Sequence, residues 1–149
     1  MGLQRWRTLV AGLWAGGLLA LALLAAPAAL ATLTASDAER LIGRWLAWEA
    51  NASLALGIMA LLLERVAARR AVASASGRQF SIGMMLALGA VFCTVAGSFA
   101  VWPMIESARA GQGSFTPGQL QATSLAFSAL KLVLVMCLAW RNAGSGNAP

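Results

Sequence analysis

Four long apolar runs occupy most of this chain and leave few folds open to it. Residues 8–36 carry no charged side chain, and neither do 50–63, 79–105 and 118–130. A bilayer core about 30 Å thick is crossed by roughly 20 apolar residues in a helix. The second run reaches that length by taking in Trp45–Glu49, and the fourth by tolerating Lys131. Only 11% of the residues are charged and 60% are hydrophobic, where soluble domains average about 25% and 45–50%. The expectation is an all-α integral membrane protein. It is a single membrane domain, a four-transmembrane-helix bundle with short connections. The helices fall at about 9–33, 37–64, 79–105 and 117–140, and a disordered tail at 141–149.

The ends of the runs carry their own signals. Arg5 and Arg7 precede the first. Ser36-Asp37-Ala38-Glu39 has the pattern of a capping box, so the second helix should begin at Asp37. Trp45 and Trp48 suit an interfacial aromatic belt. Thr116 before Pro117 suits an N-cap followed by proline at the first helical position. Pro27 should disturb the first helix near its far end, and Pro103 lies near the end of the third. The first run also admits a secretory-signal reading, with Ala29-Leu30-Ala31 as a cleavage motif. Its length exceeds the usual 7–15 residues of such a core, which favours a retained helix.

A net charge of +6 does not point to nucleic acid, because the arginines flank apolar runs. Arg5, Arg7, Arg65, Arg69, Arg70, Arg78 and Arg141 fall on one side and Arg40, Arg44 and Arg109 on the other. The bias of seven to three predicts both termini in the cytoplasm. The Ala-, Gly- and Leu-rich composition is common in high-GC bacteria and places the expected site at a bacterial inner membrane. The lipid bilayer is then the first partner, with a second copy or another membrane protein as further candidates.

Two small-residue rows are candidate helix-packing faces: Gly12, Gly16 and Ala20, and Ala90, Thr94 and Ser98. Lys131 is the most informative single residue. A lysine near mid-membrane costs about 2.5–3.5 kcal/mol on insertion scales, so it should face the bundle. Ser124 and Ser128 share its helical face. Glu49, with Asn51 close behind, is the charge partner within the apolar segments, although their depths differ by roughly 12 Å at helical rise. A direct contact is therefore borderline, and a bridging water is the alternative. Asn51-Ala52-Ser53 matches a glycosylation sequon but lies within a spanning segment. Cys93 and Cys137 show no metal or disulfide spacing and should remain thiols. The methionines Met59, Met84, Met85, Met104 and Met136 raise copper handling as a minor alternative. There is no histidine and no nucleophile–base set, so no enzyme, cofactor or metal site is expected.

Leu13-Trp14-Ala15-Gly16-Gly17, Ala26-Pro27-Ala28 and Arg40-Leu41-Ile42-Gly43-Arg44 resemble the opening half of the transmembrane protein 205-like family, a domain of unknown function. The resemblance continues through Val101-Trp102-Pro103, Ile105–Arg109, Leu120-Gln121 and Ser124. It implies a four-helix membrane bundle with segment one retained. Relatives often carry histidine at the position of Gln121 and asparagine at that of Ser128. The leading functional expectation is an accessory or assembly role through helix–helix contacts. The alternative is a small-solute or drug transporter with a polar interior around Lys131 and Glu49.

Overall fold

A computed structural model describes residues 2–73, 81–111 and 115–144. Four helices span it: α1 (Gly2–Thr32), α2 (Ala35–Ala73), α3 (Ile82–Arg109) and α4 (Pro117–Gly144). All four are long and apolar enough to cross a membrane. Among the described residues there is no strand. Each helix packs on its sequence neighbour and α4 closes against α1, so α2 and α4 lie diagonally opposite. The first turns of α1, the start of α3 and the last turn of α4 meet around Glu64 of α2 at one end of the bundle, hereafter the terminal end.

The helix boundaries follow local chemistry. Leu33 is extended (φ −112°, ψ 161°) and separates α1 from α2. Thr34, not Ser36, caps α2: its Oγ1 accepts from the Asp37 amide at 3.4 Å and donates to Asp37 Oδ2 at 2.6 Å. The cap therefore lies two residues before the expected one, and Ser36 falls in the first turn. At its other end α2 continues past Glu64 to Ala73, because Arg65–Ala73 contains no glycine or proline to stop it. Thr116 caps α4 reciprocally with Gln119, through Gln119 N to Thr116 Oγ1 (3.4 Å) and Thr116 N to Gln119 Oε1 (3.2 Å). Past α3, Gly111 turns the chain with φ +76°, a conformation that glycine adopts without a Cβ penalty. The expected disordered tail begins too early, since residues 141–144 are helical and Asn142 is buried. Residues 74–80, 112–114 and 145–149 lie outside the described residues, and with them Arg78 and most of the expected tail.

Both intrahelical prolines sit just after a widened, π-helical turn, Leu21–Ala25 before Pro27 and Val95–Val101 before Pro103. A proline ring clashes with the carbonyl four residues earlier and supplies no N–H. Those carbonyls belong to Leu23 and Phe99, which lie inside the widened turns. An i→i+5 turn accommodates the ring while the helix continues.

The interior is built from small side chains. On α2 the buried positions Ala50, Ser53, Gly57, Ala60, Glu64 and Ala68 recur every three or four residues, which is one helical face. Ala87, Ala90, Thr94 and Gly97 do the same on α3, with Cys93 buried beside them. Large apolar residues such as Leu13, Leu24, Ile58, Phe92 and Leu125 point outward. This arrangement suits lipid, where association rests on close packing rather than on hiding apolar surface from water. Trp14 of α1 fills the space that the small residues leave. A Cβ on Gly57 would strike Val91 Cγ2 and lie 3.1 Å from the Trp14 ring.

Candidate functional site

Two polar layers cross this apolar bundle. The first lies at mid-bundle. Lys131 is 3% exposed, and its Nζ donates to both oxygens of Glu49 at 2.9 Å. The Ser53 hydroxyl donates to Glu49 Oε1 and accepts from Trp14 Nε1 at 2.8 Å. A chain Trp14–Ser53–Glu49–Lys131 thus joins α1, α2 and α4. The ion pair bridges the bundle's diagonal, where two backbones stand too far apart for short side chains to meet. Long side chains on both partners close that gap.

The direct contact also corrects the depth expected for this pair. Counting from the ends of the apolar runs assumed that each helix starts where its run starts. Helix α2 runs from Ala35 to Ala73, so packing decides its register against α4.

Beside the pair lies a cavity of about 140 Å³. Glu49, Asn51, Ser98, Trp102, Ser124 and Ser128 contribute to its wall. Its origin is a local splay of α3. A Cβ on Gly97 would lie 3.1 Å from Phe127 Cβ, so the glycine lets the widened turn of α3 close on α4. That draws α3 away from α2 and leaves the gap. The Trp102 ring rests over Gly43, 3.8 Å from where a Cβ would stand, and closes one end. Asn51 Nδ2 donates to Ala47 O at 2.9 Å and Ser128 Oγ to Ser124 O at 3.0 Å. The hydroxyls of Ser98 and Ser124 make no hydrogen bond among the described residues.

The five candidate polar residues therefore converge, Lys131 through its bond to Glu49 and the other four on the cavity wall. The two small-residue rows are placed differently. Ala90 and Thr94 are buried and Ser98 is half-buried at the cavity. Gly12, Gly16 and Ala20 are exposed, and nothing lies within 4 Å of a Cβ built on either glycine. Among the described residues they face no other helix. Met59, Met85, Met104 and Met136 face outward and do not converge on a common point.

The second polar layer, at the terminal end, was not anticipated from the sequence. Arg7 Nε and Nη2 donate to Glu64 Oε1 at 2.9 and 2.7 Å. Ser81 Oγ donates to Glu64 Oε2 at 3.3 Å and accepts from the Met84 amide, capping α3. Asn142 accepts from Arg7 Nη2 at 3.3 Å through its side chain, and from Gln4 Nε2 at 2.7 Å through its carbonyl. Gly83 leaves room for the Glu64 carboxylate, which a Cβ would strike. Arg141 Nη1 lies at the same point, buried without a hydrogen-bond partner among the described residues. One signal was present in the sequence: Glu64 continues the three-and-four spacing of Ser53, Gly57 and Ala60, which places it on the buried face.

The architecture defines a multi-pass membrane protein of the four-helix class with an ion pair in its interior. The family described as Domain of unknown function (DUF4149) matches residues 9–114, and the chain belongs to that family. The match holds Glu49 and ends before α4, which carries Lys131. No curated protein and no solved structure matches the chain.

Proposed function

We propose that this protein binds a small polar solute within the membrane, as a carrier or a receptor for it. The observation that carries this reading is the cavity beside a buried ion pair of no net charge, with the hydroxyls of Ser98, Ser124 and Ser128 on its wall. An intramembrane ionisable group is costly, and solute and ion pathways are among the settings that retain one. Lys131 is turned into the bundle and away from lipid, as a polar interior requires.

A thermal-shift screen of the purified protein in detergent against small polar solutes tests this. A solute at a hundredfold excess over its Kd should stabilise the native state by about 2.7 kcal/mol. The shift should vanish in Ser124→Phe, which fills the cavity. Failure of every solute small enough for the cavity would refute the reading.

A second reading, an accessory or assembly role through helix contacts, rests on Gly12, Gly16 and Ala20. Their open row suits close approach by a helix of another chain. Crosslinking in intact membranes should then yield one dominant adduct through α1, lost in Gly16→Leu. The narrower kinship with transmembrane protein 205-like proteins belongs to this proposal. So do a bacterial inner-membrane location and cytoplasmic termini, both supported by the composition and the arginine bias.

A further inference from the structure

We infer that the Glu49–Lys131 pair is a recognition site for a small zwitterion, a molecule carrying both an ammonium and a carboxylate. The inference rests on the solute-binding reading above and names the class of solute. Charge balance selects the ligand. The pair is neutral as a unit, and both partners are buried. A simple cation seated on Glu49 would strand the lysine ammonium in an apolar interior. An anion seated on Lys131 would strand the carboxylate. Either stranded charge carries a heavy desolvation penalty. A zwitterion inserts into the pair and leaves every charge opposed.

The groups needed for that exchange are in place. Glu49 is the more open partner, with its side chain 11% exposed against 4% for Lys131, and it forms part of the cavity wall. An incoming ammonium therefore meets the carboxylate first. Glu49 Oε1 keeps the Ser53 bond, while Oε2, bonded only to Lys131, passes to the ligand. Lys131 then turns its Nζ to the ligand carboxylate. The hydroxyls of Ser98 and Ser124, which hold no partner among the described residues, are further donors to that carboxylate. No bond is made or broken and no proton needs to move. The recess of about 140 Å³ is open on one side, where Asn51, Trp102 and Ser128 are exposed, so the smallest zwitterions are the simplest probes. Glycine and β-alanine are two such molecules.

The test is calorimetric titration of the full chain in detergent micelles with glycine, β-alanine, ethylammonium, acetate and acetamide. Glycine or β-alanine should bind at least tenfold more tightly than the other three. The double variant Glu49→Gln with Lys131→Met removes both charges together and should lose at least tenfold in zwitterion affinity. If it cannot be purified, Ser98→Leu, which crowds the cavity away from the pair, is the second variant and should lose binding likewise. Equal binding of acetamide, acetate or ethylammonium would overturn the zwitterion assignment and leave solute binding standing. Absence of binding by these probes and by every solute of the wider screen would sink both. Repeating the titration in nanodiscs with and without phosphatidylethanolamine separates a free solute from a lipid headgroup. A stabilising effect of that lipid with none from glycine or β-alanine overturns the assignment to a free solute.

Discussion

Replacing Lys131 with leucine isolates the mid-bundle layer. In the native protein the ammonium donates to both oxygens of Glu49. After the change the carboxylate keeps only its bond from Ser53. Breaking a buried pair from one side costs about 3–5 kcal/mol, consistent with two charge-assisted bonds at roughly 1.5–3 kcal/mol each. Leucine recovers about 1 kcal/mol of that through packing in place of the lysine stem. The expected net loss is therefore about 2–4 kcal/mol. Glu49→Gln combined with Lys131→Leu should return to within about 1 kcal/mol of the native protein, because no charge is left unopposed. Reversible unfolding in mixed micelles, run as a double-mutant cycle, measures all four species. A neutral single variant would refute the reasoning, and so would a double variant as unstable as the sum of the singles.

Three further outcomes follow from the same geometry. Gly57→Val should destabilise the bundle by about 2 kcal/mol or more in the same assay, since its side chain would collide with Val91 and the Trp14 ring; unchanged stability would deny the close packing at that point. Glu64→Ala should cost about 3 kcal/mol or more, because it removes the acceptor of Arg7 and Ser81, and proteolysis of the terminal end measured alongside should accelerate. Reporter fusions after Ala143 and at Gly111 should give opposite signals, with the C-terminal fusion active on the cytoplasmic side, and a periplasmic C-terminus would contradict the arginine bias.

Helix-to-helix register lies beyond what local sequence encodes. The inward orientation of Lys131 was legible, since a charge at mid-membrane has few tolerable surroundings. Its direct bond to Glu49 was not, because the relative depth of two helices depends on packing along their whole length. Arg7 precedes the first apolar run and Glu64 ends the second, and nothing in the sequence pairs them. Position relative to an apolar run says nothing of whether a charge faces water or a neighbour, and Asn142 was placed in a tail for the same reason.

The sequence by itself determined the class of the protein, the number of helices and the cap at Thr116. Those features rest on local chemistry: apolar length against bilayer thickness, and a hydroxyl ahead of a proline. The tertiary structure alone decided that α2 and α4 stand on a diagonal joined by an ion pair. It also decided that Gly97 draws α3 toward α4 and opens a cavity, and that Gly12 and Gly16 remain uncovered. Such features depend on which faces meet and at what register, and these emerge only when four helices pack at once.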